Sequence, residues 1–463
     1  MAVKPDRLSP GRRVAYEVVR KVHVGDAFAH ETLSQQLKYA KLESRDAAYA
    51  TRLAYGVISF DGTLDEILSR LCEKPNHIKP KVRDALKIAL YEIFIEEKRD
   101  YAAVDQGVEL VKSVHPHSAG LANAILRSAI KLSPEFPFGD PETDIEALAR
   151  AYGFPVWLTK RFVGRFGTAR TETVLAAFNQ APPFYLAVPS WYGETDAAIA
   201  ALEEEGVEVS RIDPLLPRAL VVGNPATAVA GELVSTRRLF TIDAAAQLTV
   251  RLCDARAQET IVEIGSGRGT KTLLLASEAR LSGSAAARVI GVDSFEYKSM
   301  ITLEQALSYD LSEVSVQTVD ARDADALIEA VGGSGVADTV LIDAPCSGIG
   351  TLRRHVDKRW RLSESDITDL AGISMELLVA ASHAVKAKGK IIFATCTMAE
   401  EENAEVVRRF LESPEGGLFE IERIQLSEVP ESWGDFITEE GFFQSIPLDG
   451  GPDGHFIARM RKG

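Results

Sequence analysis

Two of the chain's four cysteines stand where a thiol can do chemistry. Cys346 lies in Asp343-Ala344-Pro345-Cys346-Ser347-Gly348, and Cys396 in Ala394-Thr395-Cys396-Thr397. Cys72 and Cys253 belong to no such motif. No CxxC pair is present, and the spacing suits neither a zinc cluster nor a disulfide framework, so reduced thiols and no metal are expected. An isolated cysteine is usually an inert, buried small hydrophobe. Two of four at the ends of apolar runs, downstream of a glycine loop, point to function instead. The loop reads Glu263-Ile264-Gly265-Ser266-Gly267-Arg268-Gly269. Glycines let the backbone turn sharply against a ligand, and the helix that follows offers free N–H groups. Asp293 ends the next apolar run, where a carboxylate accepts both hydroxyls of a ribose. Asp320 ends the one after and is placed to approach an adenine amino group.

The elements that must position these residues are legible from about residue 260. Short β-branched runs alternate with helices: 260–264, 289–293, 314–319, 339–343 and 390–396. Continuous apolar strands separated by helices predict a parallel sheet covered on both faces. In such sheets ligands bind beyond the carboxyl ends of the strands, where every motif above falls.

The first third is different. Ser9-Pro10 starts a helix with Val14, Val18 and Val22 on one face. Further stripes follow: Leu53, Ala54, Val57 and Ile58; Leu86, Ala89, Leu90 and Ile93; Val104, Val108 and Val111; Ile125 and Leu126. One-sided stripes predict a helical bundle. SPEFPFGDPE (133–142) reads as a linker. Residues 143–235 read as helices and then a small α+β piece, with strands near 184–189, 207–212 and 219–223. The expected domains are therefore 1–138, 143–235 and 236–463. Residues 1–140 hold 21 Lys and Arg against 19 Asp and Glu, a net +2, while the whole chain carries −15. That balance argues against a broad nucleic-acid-coating surface and leaves room for a local one. No signal peptide or membrane-length apolar run is evident, so a cytoplasmic protein is expected.

The loop lacks the dinucleotide fingerprint, which needs glycine where Thr270 stands. Its acidic-x-Gly-x-Gly-x-Gly pattern resembles the first motif of S-adenosylmethionine-dependent methyltransferases. A thiol beside a methyl donor suits one problem in particular. C5 of a pyrimidine is a poor nucleophile, and a thiolate adding at C6 makes it enamine-like. A carboxyl near N3, for which Asp343 is the candidate, would stabilise the adduct and would have to be protonated, or become so, to donate there. An exocyclic amine needs no cysteine.

Asp-Ala-Pro-Cys-Ser-Gly followed by Ala-Thr-Cys resembles the RNA cytosine-5 methyltransferases of the Nol1/Nop2/Sun family. The resemblance implies Cys396 as the nucleophile and Cys346 as the residue assisting proton removal or release. It implies a cofactor site of Gly265, Ser266, Gly267, Arg268, Gly269, Thr270 and Lys271, completed by Asp293, Asp320 and Asp343. TIDAAAQ (241–247) is similar to the segment leading into that family's catalytic domain. The runs 45–68, 102–112 and 121–127 resemble the helical RNA-binding domain of the antitermination factor NusB. A NusB-like domain joined to this methyltransferase resembles the RsmB/Sun subtype, whose members methylate a cytosine in small-subunit ribosomal RNA. The implied fold is α/β: a Rossmann-like methyltransferase domain preceded by an all-α NusB-like bundle and a small α+β linker domain. The first motif departs from the family's Cys-Ala-Ala-Pro-Gly-Gly-Lys-Thr, keeping Lys271 and Thr272. Glu400 stands where the family has proline before Glu401-Glu402-Asn403, and Val356 where Arg-His-Pro-Asp is usual.

For RNA, the run Arg353-Arg354-His355-Val356-Asp357-Lys358-Arg359-Trp360-Arg361 offers five fixed charges and an indole just after Cys346. Arg353, Arg354, Lys358, Arg359 and Arg361 are therefore expected to contact phosphates. Arg12, Arg13, Arg20 and Lys21 form a second basic group. A monomer is expected, since the fused bundle replaces a partner. The competing readings are an RNA-binding assembly protein with an impaired site, a methyltransferase acting on transfer RNA, and a nicotinamide oxidoreductase.

Overall fold

The computed structural model describes residues 8–25, 27–98 and 101–463. The chain divides into two compact units. One runs through Ala181 and takes in Leu352–Leu362; the other comprises Pro182–Thr351 and Ser363–Gly463. The helices of residues 145–178 fall in the helical unit, and so does a short segment from late in the chain.

The helical unit is built from Pro10–Val24, Ala29–Ala40, Ser44–Ser59, Asp61–Leu71, Pro80–Phe94, Tyr101–Val114 and Ala119–Leu132. Pro10 and Pro80 each occupy a first helical turn, where the missing N–H costs nothing. The apolar stripes converge on one core that includes Val18, Val57, Leu86, Leu90, Val111 and Leu126. Pro80–Phe94 is buried on nearly every side, so its polar residues must be paired. Glu92 accepts from Arg12 (2.7 Å) and Tyr49 (2.6 Å), Asp84 from Arg20 (2.9 Å), and Lys87 lies 2.9 Å from Asp65. Arg12 and Arg20, expected in a basic surface patch, are thus engaged by buried carboxylates. The presumed linker is also fastened: the rings of Phe136 and Phe138 lie 5.8 and 6.3 Å from that of Phe94.

His23 sits between Asp84 (2.8 Å to Nδ1) and Asp61 (3.0 Å to Nε2). Burial pulls its pKa down, but the two carboxylates outweigh that and push it up to about 9. The unfolded reference is ~6.5. A raised imidazole pKa contributes stability that is complete below the unfolded value and disappears as pH climbs through the folded one. Thermal melts of the helical signal should therefore lose on the order of 3 kcal/mol between roughly pH 6.5 and pH 9. His23→Gln should flatten that slope; an unchanged slope in the variant would show that other groups govern it.

Leu352–Leu362 corrects an expectation. Val356 belongs to the helical core, and the Trp360 indole donates to the Ser59 carbonyl at 2.8 Å. Gly62 is required beneath that ring, because a Cβ there would come within 2.2 Å of it. Arg359 is 0% exposed. It donates to Asn179 Oδ1 (2.8 Å) and the Phe178 carbonyl (2.9 Å), and its guanidinium lies 4.0 Å from the Phe154 ring centroid. Arg353 is buried as well. Arg361 pairs with Asp357 (3.2 Å) and donates to the carbonyls of Val22 and Ala27. Arg354 and Lys358 are half-buried. Of the five residues expected to contact phosphates, Arg353 and Arg359 are thus drawn inward with apolar Val356 and Trp360, four positions apart, and serve the fold.

The second unit contains two sheets. Strands β1 (Phe184–Ala187), β2 (Val209–Arg211), β3 (Ala219–Val222) and β4 (Phe240–Thr241) form a small antiparallel sheet in the order β2-β3-β1-β4. The large sheet holds β5 (Thr260–Ile264), β6 (Arg288–Asp293), β7 (Val314–Thr318), β8 (Ala337–Asp343), β9 (Val385–Thr395), β10 (Phe419–Ile421), β11 (Phe443–Gln444) and β12 (Phe456–Lys462). Its order is β10-β12-β9-β8-β5-β6-β7, with β11 also paired to β12. Strands β5 to β9 are mutually parallel, as their apolar runs predict. β12 runs antiparallel to β9, so the sheet is mixed. The chain moves outward from β5 to β7, then returns to place β8 on the other side of β5. That reversal opens a crevice at the strand ends between β5 and β8. Among the described residues, no helix is long and apolar enough to cross a membrane.

Candidate active site

The glycine loop leaves β5 and turns into the helix Thr270–Ser282. Gly265 has φ +81°, and a Cβ there would meet the Asp343 carbonyl oxygen at 2.4 Å. Gly269 has φ +83°, and a Cβ would strike Thr302 at 2.4 Å. Both positions thus require glycine; the first brings the loop down onto the end of β8 and the second onto the helix Glu296–Ser308. Glu263 is wholly buried at the end of β5 and accepts a short hydrogen bond from the Thr272 hydroxyl. Burial pushes its pKa up to about 8 against the pull of Lys271 and Thr272. The acidic residue of the motif is thus an internal tie between strand and helix.

Asp293 closes the other side of the loop. Its Oδ2 accepts from the Gly267 N–H and its Oδ1 from the Phe295 N–H, both at 2.9 Å. Each carboxylate oxygen keeps a further lone pair. Ser266 Oγ is buried without a hydrogen-bond partner. Asp320, also expected in this pocket, is held by the Arg322 guanidinium at 2.6 Å, and that pairing lowers its pKa. Arg268 and Thr270 line a cavity of about 200 Å³ with Arg237, Phe240 and Gln305; Cys346, Cys396 and Asp293 do not line it.

The two cysteines meet. Cys346 follows β8, Cys396 follows β9, and their sulfurs lie 3.4 Å apart. The Cys396 N–H also points at Cys346 Sγ, at 3.3 Å. Parallel pairing of β8 with β9 sets this meeting, since Asp343 and Ala394 are register partners. The Cys346 thiol is held well above its ordinary pKa, first by its hydrogen bond to Cys396, then by burial and by the charges of Cys396 and Glu402. Lys271 reaches Asp343 at 2.6 Å. Burial lowers the ammonium's pKa, but Asp343 and Glu263 outweigh it, and the net shift is upward. A cation and a carboxylate therefore stand together at the strand end nearest the thiols. Cys253 is core: fully buried, with its pKa pushed up to about 12.

Sequence reasoning missed the support beneath the thiols. Glu402 is 0% exposed; it accepts from the Ser347 N–H at 2.6 Å and from the Ser347 hydroxyl at 2.5 Å. Asn403 accepts from Thr395 Oγ1 (2.6 Å) and donates to the Thr397 carbonyl (3.0 Å) and to Gln444 (2.9 Å). The run Glu401-Glu402-Asn403 was the available signal, though a triplet of acids reads as solvated surface until its partners are known. His455 was also unforeseen. It is buried, its Nδ1 has no hydrogen-bond partner, and it directly precedes Phe456, the register partner of Thr395. Asp243 of the 241–247 segment caps the helix Ala244–Leu252 and accepts from the Asp453 N–H. Among the described residues, no cluster of His, Cys, Asp and Glu is placed to hold a metal ion.

A mixed sheet carrying a glycine loop after β5 and a buried carboxylate after β6 is the Rossmann-like methyltransferase arrangement. Three family models match the chain: 16S rRNA methyltransferase RsmB/F over residues 250–461, the NusB family over 9–131, and the RsmF/B-like ferredoxin-like domain over 154–229. The protein Rv1407 of Mycobacterium tuberculosis is 30% identical over 408 residues, covering 84% of each chain. Ribosomal RNA small subunit methyltransferase B of Thermus thermophilus is 29% identical over 457 residues, covering 98% of each. The crystal structure of PH0851 superposes with a TM-score of 0.79 at 23% identity over all of both chains. The chain belongs to the RsmB/F family of 16S rRNA methyltransferases, with a NusB-like helical region and a ferredoxin-like domain before the catalytic sheet.

Proposed function

We propose that this protein methylates C5 of a cytosine in small-subunit (16S) ribosomal RNA, with S-adenosylmethionine as donor and Cys396 as covalent catalyst. One observation carries the reading: two sulfurs 3.4 Å apart at adjacent strand ends, beside the Lys271–Asp343 pair. A methyltransferase working on an amine has no use for that pair of thiols.

The residues present fit the cofactor. The loop from Gly265 to Gly269 leaves space where side chains would clash, Ser266 Oγ lacks a partner, and Asp293 has lone pairs to spare for two ribose hydroxyls. When bound, S-adenosylmethionine supplies an electrophilic methyl group. The Cys396 thiolate forms a bond to C6 of the base, and the electrons of the C5–C6 double bond become available at C5. Lys271, with its pKa held above the usual lysine range, is the donor beside Asp343 for charge that builds toward N3. In this reading Asp343 acts as half of an ion pair with Lys271, so the proton that a donor at N3 requires comes from the pair. Once C5 carries the methyl, its proton leaves to a base, the double bond re-forms and the C6–S bond breaks. Cys346 is placed to donate to the departing sulfur.

The test is incubation with labelled S-adenosylmethionine and unmodified small-subunit ribosomal RNA, with transfer RNA in parallel, followed by digestion and scoring for 5-methylcytosine. Label in ribosomal RNA is expected. Label confined to transfer RNA would move the substrate, and none despite cofactor binding would overturn the reading. The cofactor part has its own check. A hydrogen bond to a charged group contributes ~1.5–3 kcal/mol, so Asp293→Ala should weaken cofactor binding by on the order of 100-fold in calorimetry. An unchanged affinity would remove Asp293 from the site.

A further inference from the structure

Two thiols at 3.4 Å pose a problem of identity: one must ionise and the other must stay protonated, or they repel. The family resemblance implies that Cys396 ionises, and the question is what in this structure would enforce it. The surroundings are lopsided. Lys271 is bonded to Asp343, and the charge of Cys396 is among the causes that raise its pKa. Glu402 is buried, is bonded to Ser347 in the loop that carries Cys346, and acts on the Cys346 thiol through its charge. It belongs to the turn Glu400–Glu402 that follows β9.

The hydrogen bonds give Glu402 a second property. Ser347 directly follows Cys346, and Thr397 directly follows Cys396. Glu402 takes both the N–H and the hydroxyl of Ser347, and the hydroxyls of Ser347 and Thr397 lie 2.8 Å apart. The next residue, Asn403, grips Thr395 and Thr397 on either side of Cys396. A buried carboxylate therefore ties together the two residues that follow the thiols, from a chain distance of 55 residues for Ser347. Burying a carboxylate is costly unless it is hydrogen-bonded, so its presence needs a reason.

We propose that Glu402 is a positioning residue for the two-cysteine site: it clamps the Cys346 loop to the Cys396 loop through Ser347 and Thr397, and fixes Cys346 as the neutral thiol that donates to a Cys396 thiolate. The assignment of roles rests on the cytosine-C5 reading, while the clamp does not. The charged groups that act on the pair are Glu402, from the turn after β9, on Cys346 and Lys271, from the helix after the glycine loop, on Cys396; Asp343 and Glu263 act on Lys271, and Glu401 on Glu402. Of these, Glu402 contributes to holding the Cys346 thiol protonated.

The test is alkylation of each cysteine by iodoacetamide across pH 6–10, read by peptide mass spectrometry on the full-length protein. The variants are Glu402→Gln, Glu402→Ala and Ser347→Ala. In the wild type, Cys396 should react first. In Glu402→Gln, which keeps the shape and removes the charge, Cys346 alkylation near neutral pH should rise by roughly tenfold, one unit of pKa. In Glu402→Ala, kcat for methyl transfer should fall by about 100-fold, the usual cost of a misplacement near 1 Å, with KM for cofactor unchanged. Ser347→Ala combined with Glu402→Ala should be no worse than either alone, because both remove the same clamp. A folded Glu402→Gln protein with the wild-type order and rates of alkylation would overturn the proposal. So would failure of that isosteric variant to fold, or a kcat loss matched by equal losses of cofactor affinity and melting temperature. If the wild type forms no 5-methylcytosine, the cytosine reading falls and the alkylation pattern still decides the clamp.

Discussion

Cys396→Ala protein should transfer no methyl group to RNA, whereas Cys346→Ala protein should stay attached to it. The difference follows from what each sulfur does. Removing the nucleophile deletes the bond to C6 on which activation of C5 depends, and loss of such a residue costs roughly 10⁴-fold or more in rate. Removing Cys346 leaves that bond able to form, because Lys271, Asp343 and the Cys396 sulfur are untouched. What is lost is the donor 3.4 Å from the Cys396 sulfur, needed when that sulfur leaves. The adduct should then accumulate. The readout is a denaturing gel: a protein–RNA complex that survives detergent with Cys346→Ala, absent with Cys396→Ala and with the double variant. If Cys396→Ala forms the complex, the two roles are exchanged. If Cys346→Ala turns over freely, Cys346 has no part in release.

Arg359→Ala should damage the fold of the helical unit and leave RNA affinity per folded molecule unchanged. Arg359 is fully enclosed, and burial pulls its pKa down to about 9. Its guanidinium satisfies the Phe178 carbonyl and Asn179 Oδ1 and covers the Phe154 ring. Truncation leaves the buried Phe178 carbonyl unpaired, while exposed Asn179 turns to water, and opens a cavity beside Phe154. Each unsatisfied buried group costs ~1–3 kcal/mol, and the cavity adds to that, so a loss of about 3 kcal/mol is expected. Hydrogen exchange in Val156–Phe166 and Thr168–Phe178 should accelerate accordingly. A stable variant with weakened, salt-dependent RNA binding would restore the phosphate-contact role that the burial of Arg359 argues against.

How far the sequence reaches depends on the range of the interaction involved. Parallel strands β5 to β9 were legible because a buried strand needs a local run of β-branched residues, and such runs stand at 260–264, 289–293 and 339–343. The bundle was legible because a helix buries one stripe. Even the closeness of Cys346 and Cys396 was implied, since both end apolar runs of one sheet. β12 was not read: it returns antiparallel against β9 without a crossover helix to announce it.

The burial of Arg353 and Arg359 and the clamp at Glu402 belong to the tertiary structure alone. Arg359 meets a partner 181 residues away, and Ser347 meets Glu402 across 55. A charged run reads as solvated in any local window, because charges are ordinarily outside. Whether a given charge is buried depends on what the rest of the chain places over it. The residue types, their spacing and the strand ends they occupy therefore determined the class of chemistry. Which charges face solvent and which carboxylate holds the loop after Cys346 were decided only when distant segments closed over them. Burial removes water from a charge and leaves its partners to set its state.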